Sequence, residues 1–221
     1  VFECAGSKTG MFTSPHLVDF RERIQVQGDM ISKEDTMRIG NRLLSMDFGV
    51  CPTMFDYCLA MALLYFKEQK CDVVILETGL GGTYDSTNAC GVPDVTVIAK
   101  IGFDHMAILG DTLAQIAAEK AGIIKHGTAL VLESQEKEAM DVLNKAAERA
   151  DIKTTKVVNL DEIRILPQKD GKQCFSYAGY DAVTMKMLGV HQYENAVAAM
   201  LAAELFFEKY FAGKKNVPER K

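Results

Sequence analysis

The chain has 221 residues, 48% of them hydrophobic, enough for one large domain or for a domain with an appendage. Its net charge of -5 mixes both signs along the chain and shows no basic cluster interleaved with aromatics, which argues against nucleic acid as a partner. No apolar run approaches the roughly 20 residues that span a bilayer and the start lacks a signal-peptide pattern, so the reading is cytoplasmic, without a membrane partner. The six cysteines are scattered with no C-x-x-C, and most lie in apolar or helical contexts where a thiol behaves as a small hydrophobe.

In chain order, "VFECAGSKTG" reads as the last turn of a helix, followed by a strand at residues 10–13. Ser14-Pro15 blocks helix continuation, and residues 23–27 alternate like a strand. Ser32 reads as an N-cap with Asp35 three positions on, opening a helix through about Met46. Residues 53–69 place Phe55, Leu59, Ala62, Leu63 and Phe66 at helical spacing. Residues 72–76 and 95–98 are short β-branched runs without alternation, the pattern of strands covered on both faces. A helix at 112–121, a strand at 128–132, a helix at 135–150 and a strand at 155–158 follow. Residues 174–177 and 183–188 suggest an antiparallel edge pair, and 191–211 a long Ala-rich helix. Alternating strands and helices predict an α/β fold, a doubly wound, mostly parallel sheet flanked by helices. The polar end "GKKNVPERK" reads as a linker, so residues 1–212 are expected to form one domain, 213–221 to lead out of it, and the whole to be a piece of a longer protein.

Ligands of open parallel sheets gather at the carboxyl ends of the strands. Glu77, in "LETGLGGTYDSTN", and Asp104-His105, in "IGFDHMAILG", sit at two such ends. If the two strands are neighbours, a carboxylate and an imidazole converge as a metal-ligand pair. The glycines do not complete a dinucleotide fingerprint, because Gly79 and Gly81 are followed by Tyr at position 84. Taken alone, Glu77 reads first as a hydrogen-bonded structural acid and His105 as a hydrogen-bonding histidine. Ser14 reads as a turn residue, Lys120 as a solvated lysine near a helix C-terminus, and Asn195 as a cap or surface position.

"TSPHLVDFRERI", "ILETGLGGTYDSTN", "IGFDHMAILGDTLAQIAAEKAGIIKHG" and "LGVHQYENAVAAMLAAE" stand in an order and spacing that resemble the folylpolyglutamate synthase and dihydrofolate synthase family of the Mur ligase superfamily, across nearly the whole chain. The resemblance implies a central ATP-binding domain of a ligase that joins glutamate to a folate or pteroate carboxylate through an acyl phosphate. It implies ATP and Mg2+ as cofactors, with a monovalent cation such as K+ as a further candidate, and a monomer at full length. It makes Ser14, Glu77 and His105 metal ligands and Lys120 a lysine that is carbamylated. Asn195 would meet adenine with His191 beside it, and Asp85 and Asn88 would lie on the pterin side. It further implies a G-x-x-G-K-[ST] phosphate loop about 10 to 20 residues before Val1, and a C-terminal domain beyond the chain. "AGSKTG" is not that loop, because Lys8 follows Ser rather than Gly and precedes a strand. Two positions depart from the pattern: Thr83 stands where arginine is expected and Lys100 where a small polar residue is usual. An inert domain that keeps the fold, or a sister ligase acting on another acid, are the alternative functions.

Overall fold

The computed structural model describes residues 1–211; the expected linker lies outside them. The chain divides into two compact units, Val1–Gly91 and Val92–Lys221.

In the first unit, β1 (Thr9–Phe12) lies between β2 (Ile24–Val26) and β4 (Val73–Leu76), and β3 (Asp29–Met30) completes a sheet of order β3-β2-β1-β4. β1 runs antiparallel to β2 and parallel to β4, with Phe12 opposite Leu76. Helices α1 (Lys33–Leu44) and α2 (Met54–Glu68) cover one face, packing Ile39, Leu43, Leu59, Ala62 and Phe66 against Phe12, Ile24 and Ile31. Each helix starts where the sequence supplies a cap. The Ser32 hydroxyl accepts the Asp35 N–H, and Thr53 and Asp56 form a reciprocal capping box. Arg38 pairs with both Asp35 and Glu68, tying α1 to α2. Lys8 directly precedes β1; its N–H donates to Asp72 and its ammonium to Gln69, a structural link between strand starts.

In the second unit, β5 (Val95–Ile98), β6 (Ala129–Leu132) and β7 (Thr155–Val157) form a parallel sheet of order β5-β6-β7. The short helix α3 (Met106–Leu109) and α4 (Leu113–Ala121) follow β5, and α5 (Lys137–Arg149) follows β6 and packs on α4. Strands β8 (Arg164–Lys169), β9 (Lys172–Tyr177) and β10 (Tyr180–Met185) make a separate antiparallel sheet of order β10-β9-β8. Helix α6 (His191–Phe211) packs Tyr193, Val197, Leu201 and Leu205 against Val131 of β6 and Phe175 of β9.

The α/β architecture with parallel strands is as the alternation predicts. Three details differ. The antiparallel pair is the core of its own three-stranded sheet, and β8 went unread because Pro167 breaks a strand signal; the structure accommodates Pro167 on an edge strand beside a register shift. Coverage on both faces holds for β6, where Leu130, Val131 and Leu132 are fully buried, but not for β4, whose Val74 and Ile75 are 41% and 42% exposed. Of the cysteines, all free, Cys58 and Cys174 are buried while Cys4, Cys51 and Cys90 are exposed, against the expectation that most are packed.

Candidate functional site

Parallel pairing of β1 and β4 brings their C-terminal ends to one edge. The Glu77 N–H continues the ladder to the Phe12 carbonyl at 2.9 Å, and two residues beyond β1 the Ser14 N–H donates to Glu77 Oε2 at 2.8 Å. The predicted pair Ser14 and Glu77 is therefore joined directly, through the serine backbone. That bond leaves Glu77 Oε1 and the Ser14 hydroxyl outside it, one carboxylate and one hydroxyl oxygen from adjacent strand ends.

The "GLGG" turn is built around a different acid. Asp85 Oδ2 accepts the N–H groups of Gly79 and Leu80 at 3.0 and 2.9 Å, while Oδ1 accepts the Thr87 N–H at 2.9 Å and its hydroxyl at 2.5 Å. A β-carbon on Gly79 would stand 2.7 Å from the Phe55 ring and 3.1 Å from Asp85, so glycine is dictated there by close approach, and Gly81 at φ +67 by a left-handed turn. Asn88 donates from Nδ2 to the Thr83 carbonyl. Asp85 and Asn88, expected on the substrate side, thus both brace the loop that follows Glu77. Ser86 donates its hydroxyl to Asp56, which fastens the same loop to the start of α2.

In the second unit the strand ends are organised by residues that the sequence did not single out. Glu133, 2% exposed one residue past β6, accepts the Lys100 N–H on Oε2 at 2.7 Å. Burial pushes its carboxyl above the ordinary glutamate value, the Lys100 hydrogen bond opposes that, and the charge of Glu194 adds to it. Gln135 accepts the Ile101 N–H at 2.8 Å and donates to the Ala99 carbonyl at 2.9 Å, gripping the same segment from both sides. This clamp fixes the exit of β5 that leads to Asp104 and His105. His105 is exposed, sits at φ +48 immediately before α3, and has Nε2 3.7 Å from Asp104 Oδ2. The Lys100 ammonium reaches 3.9 Å from Glu136.

Lys120 lies half-buried in the last turn of α4. At the start of α6, Asn195 Nδ2 donates to Gln192 Oε1 at 3.1 Å, and Gln192 Nε2 lies 3.1 Å from His191 Nε2, so the two predicted residues are linked through a third. Glu194 Oε1 accepts the Ser134 N–H at 2.6 Å, joining this turn to the end of β6. The signal for Gln192 was its place between His191 and Asn195, whereas Glu133 and Gln135 show no local pattern, because their partners are more than thirty residues away. Ser14, Glu77, Asp85 and Asn88 belong to the first unit and His105, Lys120, His191 and Asn195 to the second.

Hard oxygen donors such as those of Ser14 and Glu77 suit Mg2+, which takes one or two carboxylates and fills its remaining positions with water and phosphate. Among the described residues no cluster of three or more His, Cys, Asp or Glu is arranged to hold a metal.

An α/β protein with parallel strands, whose strand ends carry oxygen donors and glycine-bearing turns, belongs to the class that binds ligands along the carboxyl edge of its sheet. Residues 43–203 match the Mur ligase middle domain, and the chain belongs to that family. It is 40% identical over 216 residues to dihydrofolate synthase/folylpolyglutamate synthase of Bacillus subtilis (strain 168), covering 90% of this chain and 49% of that protein. Its fold is similar to Mycobacterium tuberculosis folylpolyglutamate synthase complexed with ADP, with a TM-score of 0.82 at 32% identity, over 93% of this chain and 50% of the other. A solved "FPGS-AMPPCP-folate complex" aligns with a TM-score of 0.79 at 25% identity, over 94% of this chain and 53% of that one. The chain thus spans about half the length of this curated relative and of both solved structures.

Proposed function

We propose that this chain is the nucleotide- and metal-binding part of an ATP-dependent ligase that joins glutamate to the carboxylate of a folate or pteroate through an acyl phosphate. The observation that carries the reading is the joining of Ser14 and Glu77 at the edge of β1 and β4, in a chain similar to a folylpolyglutamate synthase complexed with ADP and to one complexed with AMPPCP and folate.

Ser14 and Glu77 would hold Mg2+, the serine by its hydroxyl and the glutamate by Oε1; in the second unit, the resemblance makes His105 a metal ligand. When bound, the ion supplies neutralisation of phosphate charge during transfer from ATP to the substrate carboxylate. The Ser14 N–H keeps the Glu77 carboxylate oriented, so less freedom is lost on binding. Lys120, as a neutral amine, would add to carbon dioxide; its nitrogen bonds the carbon and a proton leaves, turning a cation into an anion that supports a metal rather than repelling it. Asn195, steadied by Gln192, would offer its amide to adenine, with His191 beside it. The protein is read as a cytoplasmic monomer whose partners are small molecules: ATP, glutamate and the folate or pteroate.

The test is a ligation assay on the full-length protein that carries this chain, with ATP, Mg2+, glutamate and dihydropteroate or tetrahydrofolate as acceptor. Glutamate-dependent release of ADP with formation of the amide product is expected, together with a loss of 100-fold or more in Glu77→Ala, the order reported when one transition-state electrostatic contact is removed. Product formation only with a different acid acceptor would replace the folate assignment, and full activity in Glu77→Ala would remove the metal site.

A further inference from the structure

In the loop between β1 and β2, which carries the "TSPHLVDFRERI" motif, the resemblance assigns a role to Ser14 and none to Glu22, whose hydrogen bonds organise the loop. Glu22 Oε2 accepts the N–H of Leu17 at 2.7 Å, and Oε1 accepts those of Val18 and Asp19 at 3.0 and 2.7 Å. One carboxylate thus takes three consecutive backbone N–H groups. Asp19 returns the bond by capping the turn at Phe20–Arg23, a reciprocal capping box that the D-x-x-E spacing of Asp19 and Glu22 already encodes. The base of the loop is closed by the Thr13 N–H on the Arg23 carbonyl, and Arg23 Nε donates to His16 Nδ1 at 2.8 Å.

Hydrophobic packing does not hold this segment in place. Leu17 and Val18 are 90% and 91% exposed, and the first apolar anchor after β1 is Phe20, at the edge of the first core. Between Ser14 and Phe20 the backbone is fixed by polar contacts, most of them on Glu22. The backbone hydrogen bonds hold the Glu22 carboxyl below its ordinary value, so the acceptor is the anion. Ser14, which orients Glu77, is the first residue of this loop that does not belong to the strand ladder.

We propose that Glu22 is a positioning residue for the Ser14–Glu77 pair: by gathering the N–H groups of Leu17, Val18 and Asp19 it sets the path of the loop, and so the place of Ser14 over the Glu77 carboxylate. This rests on the reading of Ser14 and Glu77 as metal ligands. Glu22 acts through the loop backbone, whose N–H groups it holds, and its effect is to remove the conformational entropy that binding otherwise costs.

The experiment compares wild type with Glu22→Ala and Glu22→Gln in the full-length protein by amide hydrogen exchange and by calorimetric titration with Mg2+ and AMPPCP, with Glu77→Ala as a control. In Glu22→Ala the amides of residues 17–19 are expected to exchange at least tenfold faster and the Mg2+ concentration for half-saturation to rise about tenfold, a change of about 1.4 kcal/mol. The rate at saturating Mg2+ should be kept. Glu22→Gln, which retains size and one acceptor oxygen, should fall between, and covers the case in which the alanine variant fails to fold. Unchanged exchange at residues 17–19 overturns the proposal. So does faster exchange with unaltered Mg2+ dependence, if Glu77→Ala does shift that dependence. If neither Glu22→Ala nor Glu77→Ala shifts it, the metal reading fails, and the positioning role falls with it.

Discussion

Replacing Asp85 with alanine removes four hydrogen bonds at once, from the N–H groups of Gly79, Leu80 and Thr87 and the hydroxyl of Thr87. A shielded hydrogen bond to a charged group contributes about 1.5 to 3 kcal/mol net. Asp85 is only half-buried and its loop is partly exposed, which argues for the low range of about 0.5 to 0.8 kcal/mol per bond once solvent screening is counted. Four bonds then give about 2 to 3 kcal/mol of local stability. Because the loop can open without unfolding the core, the loss should register locally. Amide exchange at Gly79, Leu80 and Thr87 is expected to speed up about 30- to 150-fold, at tenfold per about 1.4 kcal/mol, with a much smaller change at Phe12 and Leu76 in the neighbouring ladder. Asp85→Asn keeps one oxygen but turns donors toward N–H groups on the other side, so its effect should lie between. Exchange at Gly79 and Leu80 as slow in Asp85→Ala as in wild type would refute the view that this carboxylate, rather than the glycines alone, builds the turn behind Glu77.

Glu133→Gln should raise the melting temperature near neutral pH. A carboxyl whose folded pKa is raised lends stability while protonated and loses it as pH rises through the folded value, so the advantage of glutamine should shrink below the ordinary glutamate pKa of about 4.3. Melting curves at pH 4 and 7.5 test the sign; no pH dependence of the difference would contradict it. Gly79→Ala drives a methyl against the Phe55 ring and is expected to cost about 1 to 3 kcal/mol in urea denaturation. Phe175→Ala empties a fully buried site and breaks an edge-to-face contact with Tyr193 at 5.6 Å between centroids, for a loss of about 3 to 5 kcal/mol in the second unit. A loss below about 1 kcal/mol would mean that β9 and α6 are not packed as described.

Much of the fold was legible because its signals are local. The caps at Ser32, Thr53 and Thr112 each bond a group three residues on, so sequence spacing alone marks where α1, α2 and α4 begin. The alternation of strands and helices likewise gave the parallel sheet, and with it the expectation that Glu77 and His105 lie at strand ends. Pairing is not local. That β4 lies beside β1, and so that Glu77 meets the Ser14 N–H across sixty-three positions, follows from which strand edges come together and cannot be read from either segment. The same holds for Glu133 and Gln135, ordinary in their own stretch of sequence but placed by β6 against the backbone leaving β5. Asp85 shows the boundary most sharply. Its residue type and motif fit a substrate contact as well as a structural one, and only the geometry of four donors around one carboxylate shows that it holds the loop. The sequence by itself determined the class of fold, the helix starts and the residue types at the strand ends, because propensity, capping and periodicity act over a few residues. Tertiary structure decided which of those residues meet and which acids are occupied, because hydrogen bonds between distant segments exist only once the sheet has brought its edges together.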